Sequence, residues 1–280
     1  MKLLITGGTG YLGSKLVQLA LAQGWPVSAT YFSQTPPEAP AGVAWLRLDV
    51  RDQAATQTAF EVAQPDVAVH TAFMQRGPEL WATTAEGSRH VAQAAQAIGA
   101  RLIHMSSDVI FDGERDGPYH EADPPGPISD YGEAKAAAEA FVQAHHPAAA
   151  IVRTSLIYGF APLDMHTRFV LALADGQQEA KLFTDEYRCP VCVDDLAAAL
   201  LELAQHDFAG IINIAGSDVV SRYEFGTLLA SYHGRNPERL QSGISSDYQP
   251  RRPRNCTLDI RLAQGLLHTP LRGVRSVLQQ

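Results

Sequence analysis

The stretch Thr6–Val17, TGGTGYLGSKLV, sets glycines at Gly7, Gly10 and Gly13 between a short apolar run and a helix-forming segment. An apolar run bounded by glycine reads as a buried strand, here Lys2–Ile5. Leu12–Gln23 reads as a helix with Leu12, Leu16, Leu19 and Ala20 on one face and Gly24 as its stop. Between them, G-x-x-G-x-x-G permits a tight turn, the approach of a pyrophosphate to the backbone, and close packing of helix on strand. The helix N-terminus then offers N–H groups to the anion. The plainer alternative is a glycine turn with no ligand. The strand before it and the helix after it favour a dinucleotide site, with Gly7, Thr9, Gly10, Tyr11, Leu12 and Gly13 at the cofactor.

The rest of the first half repeats this alternation. Val27–Phe32, AWLRLDV, DVAVHTA and RLIHMSS read as strands, and Asp52–Ala63 and Gly87–Gly99 as helices. Strands alternating with helices imply a parallel sheet covered on both faces, an α/β doubly wound fold of Rossmann type. After Gly113 the texture changes to a loop rich in proline, glycine and acids, DGPYHEADPPGPISD, followed by a helix from about Tyr131 to Ala144 and a strand in AAAIVRTSLIYG. Beyond Phe160 the alternation is less regular. The chain divides, on this reading, into a cofactor domain over residues 1–157 and a smaller substrate lobe over 158–280, with the chain crossing between them.

A dinucleotide site needs a polar partner for the adenosine ribose at the end of the second strand. The segment SATYFSQT has neither a carboxylate for a ribose diol nor a lysine or arginine for a 2′-phosphate. Ser33, Gln34 and Thr35 can donate to a phosphate, which leans the expectation towards NADP(H) over NAD(H). LDVRD brings Asp49 and Val50 towards the adenine, with Asp52 either beside them or serving as a helix N-terminal acid.

Tyr131 and Lys135 stand four residues apart in YGEAK, on one face of a helix. A nearby ammonium favours the phenolate, so Lys135 would lower the pKa of Tyr131 and fit it to give a proton to a carbonyl oxygen. A solvated helix face is the alternative. Upstream, HMSSDVIFDG lies at the end of an expected parallel strand, where ligand crevices form, and Ser106 and Ser107 can donate to the same oxygen.

With these residues in place the chain resembles the extended short-chain dehydrogenase/reductases, and within them the dTDP-4-dehydrorhamnose reductase family. The likeness runs through TGGTGYLG, LDVRD, DVAVHTA, SSDVIFDGERDGPYHEADPPGP, YGEAK, AIVRTSLIYG, VDDLAAALLELA, GIINIAG, SRYEFG and RPRNCTLD. The resemblance implies NAD(P)H-dependent reduction of a ketone, with a nucleotide-linked 4-keto sugar as substrate. It implies catalytic Ser107, Tyr131 and Lys135, the last two also meeting the cofactor, and cofactor contacts from His70, Thr71 and Ala72. Phe73, Asp108, Val109, Leu156 and Arg188 fall on the substrate side. Val109 and Leu156 stand where the family carries Tyr and Trp, which points to a substrate other than the rhamnose precursor. Two alternatives come with the resemblance: a non-catalytic regulatory subunit like that of methionine adenosyltransferase, and an epimerase or dehydratase that retains NAD.

Composition bounds the partners. Over 280 residues the net charge is −8, which argues against broad nucleic-acid binding. Three cysteines in a chain of this size make a disulfide framework improbable and imply a reducing compartment. The N-terminus resembles neither a signal peptide nor a membrane span, so a cytoplasmic protein, monomer or homodimer, with no membrane partner is expected. CPVC, Cys189–Cys192, has metal-like spacing but no second ligand pair, so packing cysteines and no metal are expected. His145 and His146 read as solvated residues at a helix C-terminus. Arg188 reads as either an anion ligand for the substrate or a surface ion pair with Asp185 or Glu186.

Overall fold

In the computed structural model, which describes residues 1–36 and 42–279, the backbone of the fold is a seven-stranded parallel sheet. Its strands are β1 (Leu3–Thr6), β2 (Val27–Tyr31), β3 (Val43–Arg47), β4 (Val67–His70), β5 (Arg101–Ser107), β6 (Ala150–Thr154) and β7 (Gly210–Asn213), in the order β7-β6-β5-β4-β1-β2-β3. The chain reverses direction of winding between β1 and β4. At such a switch point the connections leave to opposite sides and open a crevice at the carboxyl ends of the strands. β1 and β4 are buried along their whole length, as parallel strands covered on both faces must be.

The helices that cover this sheet are α1 (Tyr11–Ala22), α2 (Gln53–Ala63), α3 (Gly87–Ala97) and α4 (Asp130–His145). α2 starts where Asp52 caps it, its carboxylate accepting from the N–H of Ala55 at 3.0 Å. The core gathers Leu4, Phe60, Ala68, Val91, Leu102, Val142 and Ile151. Alanines 92, 94 and 95 on α3 and 134 and 138 on α4 are buried as well, small enough to bring helices close to the strands. His146, expected in solvent, is instead buried, and its Nε2 lies 2.9 Å from the carbonyl of Ala100.

Contacts divide the chain into two compact units. The first comprises residues 1–107, 130–152 and 197–212; the second comprises 108–129, 153–196 and 213–280. Ile157, where the sequence reading divides the chain, lies within the second unit. The proline-rich loop 108–129 belongs to that unit and is pinned by two buried side chains. Arg153 donates to the carbonyls of Glu121 (3.1 Å) and Asp123 (3.3 Å), and Asn213 donates to Tyr119 (3.1 Å) and Asp259 (3.0 Å). Packed around Tyr158, Val170, Leu182, Phe225, Leu229 and Val274 is the second unit's own core.

The glycine turn shows which glycine serves the fold. Gly7 has φ +68°, in the left-handed region that favours glycine. A Cβ on Gly13 would stand 2.1 Å from the Gly7 carbonyl oxygen, so Gly13 is required by helix–turn packing. A Cβ on Gly10 would meet only that same oxygen, at 3.1 Å. Gly13→Ala is therefore expected to lower unfolding stability by about 1–3 kcal/mol, as overpacking does. Gly10→Ala is expected to cost clearly less, and parallel urea titrations of the two variants measure the difference.

Candidate active site

The crevice at the switch point is held open by a chain of buried hydrogen bonds. Ser88 Oγ donates to the carbonyl of Thr84 (2.6 Å), so toward His70 Nε2 (3.1 Å) it accepts. That leaves His70 Nδ1 as an acceptor for the Thr6 hydroxyl at 2.6 Å, while Thr6 Oγ1 accepts from the N–H of Thr71 at 3.2 Å. The imidazole is thus neutral, and burial pushes its pKa down to about 3. His70 is a tie between β4, β1 and α3, with only 1% of its surface exposed.

Above this tie lies a cleft of about 430 Å³. Gly7, Thr9 and Gly10 form its floor; Phe32, Ser33, Gln34, Leu48, Asp49, Val50 and Arg51 form one wall; Thr71, Ala72, Phe73, Met74, Glu79 and Thr83 form the other. The α1 end that faces the glycine turn has no side-chain cap and no acidic residue in its first turn, which suits a pyrophosphate. Of the cofactor residues read from the sequence, Gly7, Thr9, Gly10, Ser33, Asp49, Val50, Thr71 and Ala72 line this cleft. Tyr11, Leu12, Gly13, His70, Tyr131 and Lys135 are not in its lining: Leu12 and Gly13 are buried in the packing of α1, His70 is buried, and Tyr131 and Lys135 lie on α4.

Arg51, Glu79 and Phe32 are among the cleft residues that escaped the sequence reading. Arg51 chelates Asp49, with Nε 2.9 and 3.0 Å and Nη2 2.6 Å from the carboxylate, and pairs through Nη1 with Glu79 at 2.7 Å. That pairing holds the Asp49 carboxyl below its ordinary pKa. Phe32 lies under the guanidinium, 5.5 Å from the ring centroid. The signal available was adjacency: β3 lies beside β2, so the end of LDVR sits next to the end of SATYF.

On α4, Lys135 is buried one turn beyond Tyr131. Its Nζ donates to the carbonyl of Met105 at 2.8 Å and stands 5.1 Å from the ring centroid of Phe73. The same Phe73 ring lies 5.8 Å from that of Tyr131. Burial lowers the pKa of Lys135 to about 8, against a raising effect of Glu139. Ser107 ends β5, three residues past His104, the register partner of His70. His104 itself is fully buried with neither ring nitrogen bonded, and burial keeps it neutral far below its ordinary pKa.

The second unit has a cleft of its own, about 510 Å³, lined among others by Phe169, Lys181, Phe183, Arg222, Tyr248 and Arg252. Arg222 has a buried Nη1 without a partner, and burial lowers its pKa to about 10. Arg252 pairs with the fully buried Glu186 and lies 5.5 Å over the Phe183 ring. Arg188 is neither a surface ion pair nor free: it is buried, with its guanidinium donating to the carbonyls of Tyr187 (2.7 Å), Pro253 (2.9 Å) and Arg254 (3.0 Å). Asp185 is taken by Ser245 and Glu186 by Arg252. Asp108, 3.8 Å from Arg188 Nε, accepts from Ser155 at 2.7 Å. Among the described residues no group of three or more His, Cys, Asp or Glu is placed to hold a metal. Cys189 and Cys192 are buried and free.

The RmlD substrate binding domain family matches residues 1–280. The chain belongs to this family. Its fold is that of the extended short-chain dehydrogenase/reductases, and its homologues are NAD(P)-dependent reductases of that type. dTDP-4-dehydrorhamnose reductase of Mycobacterium tuberculosis is 32% identical over 286 residues, covering 99% of this chain and 91% of that protein. In structure, the chain is similar to dTDP-4-dehydrorhamnose reductase of Bacillus anthracis in complex with NADP, with TM-score 0.84, 23% identity and coverage of 99% and 96%. The Bordetella bronchiseptica enzyme WbmH in complex with NAD+ matches with TM-score 0.84, 21% identity and coverage of 99% and 95%. Within the RmlD family frame, Val109 is half-buried in a short 3-10 turn, Asp108–Ile110, and Leu156 packs on the second unit's core.

The two neutral histidines make the fold acid-sensitive. In the unfolded chain each takes up a proton near pH 6.5; in the folded chain His70 does so only near pH 3 and His104 also far below 6.5. Between these values the unfolded state binds more protons, so stability falls as pH falls, by about 1.4 kcal/mol per pH unit for each histidine. Urea unfolding at pH 7, 6 and 5 is expected to show this slope, and His104→Leu to reduce it by roughly one histidine's share.

Proposed function

We propose that the protein reduces the keto group of a nucleotide-linked sugar, with NADP(H) in the cleft of the first unit. The observation that carries this reading is Phe73. It lines the first unit's cleft and also lies against both Tyr131 and Lys135, which supports reading these two as an acid and its tuning cation beside that cleft. When bound, a dihydronicotinamide would supply hydride to the carbonyl carbon. The Tyr131 phenol gives its proton to the carbonyl oxygen, and the Ser107 hydroxyl donates a hydrogen bond to the same atom. Lys135, fixed by the Met105 carbonyl, favours the phenolate left behind.

The second unit's cleft supports the substrate class. Lys181, Arg222 and Arg252 offer positive charge for a diphosphate, and Phe169, Phe183 and Tyr248 offer ring faces for a base. An unpartnered buried guanidinium nitrogen on Arg222 fits a site completed by an anion. Val109 and Leu156, aliphatic where the family has aromatics, favour a keto sugar other than dTDP-4-dehydrorhamnose. Free, buried cysteines fit a reducing, cytoplasmic setting.

Tyr131→Phe is expected to lower kcat by about 10²–10⁴-fold while cofactor binding persists, since only the proton donor is lost. Near-normal turnover in this variant sinks the assignment. Arg222→Gln is expected to raise KM for a sugar nucleotide by about tenfold or more with kcat nearly unchanged, as loss of a charged hydrogen bond does. Cofactor oxidation on a panel of keto sugar nucleotides and simple ketones identifies the substrate. Tight cofactor binding without turnover on any of them would favour the regulatory-subunit reading instead.

A further inference from the structure

We propose that Arg51 reads the adenosine 2′-phosphate of NADP(H), and that Glu79 is the built-in anion which this phosphate displaces. The proposal rests on the reading of the first unit's cleft as a dinucleotide site. At the end of β2, where a 2′-substituent is usually recognised, the described residues of the cleft are Phe32, Ser33 and Gln34, none of them charged. Among the described residues the only arginine lining this cleft is Arg51, one strand further out in the sheet.

Its guanidinium is used in two different ways. Asp49 grips the Nε and Nη2 edge, and its Oδ1 also accepts from the Arg51 backbone N–H at 3.0 Å, so the arginine is fixed by a partner two residues away on the same turn. That leaves Nη1, which reaches across the cleft to Glu79 on the opposite wall, at 2.7 Å. The Glu79 side chain is 50% exposed, against 28% for Asp49, so Glu79 is the carboxylate that can turn to water at low cost. A 2′-phosphate presents more charge and more acceptor oxygens than a single carboxylate, and arginine binds it through paired donors. With NADP(H) bound, the phosphate takes the Nη1 side of the guanidinium and Glu79 swings out. With NAD(H), the 2′-hydroxyl makes no such demand and the Arg51–Glu79 pair stays closed. Asp49 is the positioning residue, Arg51 the reader, and Glu79 the competitor that sets how far NADP(H) is preferred.

The test is equilibrium binding of NADPH and NADH, followed by calorimetry and by nucleotide fluorescence at several salt concentrations. The proteins are the wild type, Arg51→Gln, Arg51→Lys and Glu79→Gln, each checked for native circular dichroism. Arg51→Gln is expected to weaken NADPH about tenfold or more and NADH less than about threefold, with a shallower salt dependence for NADPH. Arg51→Lys is expected to fall between, because it keeps the charge and loses the fork. Glu79→Gln is expected to tighten NADPH several-fold and leave NADH unchanged. The proposal is overturned if Arg51→Gln weakens both nucleotides equally or neither, or if Glu79→Gln weakens NADPH. Wild-type protein that binds neither nucleotide overturns the dinucleotide reading itself, and the proposal with it.

Discussion

The neutral imidazole of His70 holds the crevice together. It joins the end of β4 to Thr6 at the end of β1 and to Ser88 on α3, and each of these hydrogen bonds has one direction only. A buried polar group that lost its partner would cost about 1–3 kcal/mol, so the three elements are bound to a single arrangement. The cleft residues that follow β1 and β4 start within a residue or two of this tie: Gly7 after Thr6, Thr71 and Ala72 after His70.

From that anchor the two walls acquire different characters. The wall from β2 and β3 ends in a charged pair that is local in sequence, Asp49 with Arg51. The other wall is a loop after β4, clipped by Thr84, whose hydroxyl donates to the carbonyl of Met74 at 2.8 Å and accepts from its N–H at 2.9 Å. A π-helical turn over Ala82–Glu86 precedes α3, and such turns often sit beside functional sites. Here the turn carries Thr83, which faces the cleft, and Thr84, which holds the loop.

Charge and burial divide the work in the second unit. Arg188, Arg222 and Arg252 are close in the chain's fold but have different duties. Arg188 is spent on three carbonyls and braces the backbone near Pro253. Arg252 offsets the buried Glu186. Arg222 alone keeps a buried nitrogen without a partner and borders open space. A guanidinium in that condition has unfilled donor capacity, which a backbone brace does not.

Much of the fold was legible in the sequence because its signals are local. Apolar runs between glycines mark β1 and β4, helical periodicity marks α1, Asp52 marks the start of α2, and the spacing of Tyr131 and Lys135 puts them on one face of α4. These follow from backbone geometry and the reach of a side chain along one element. What the tertiary structure alone decided depends on residues brought together from distant strands. Gly13 belongs to packing because the Gly7 carbonyl lies where its side chain would be. His70 serves the scaffold because Ser88 and Thr6 meet it on either side. Arg51 and Glu79 meet only because β3 and the loop after β4 flank one crevice, and Arg188 is occupied because the chain near Pro253 returns to it. Sequence spacing carries no information about such encounters, since they are set by the order of strands in the sheet and by which polar groups are left to be satisfied once that order is made.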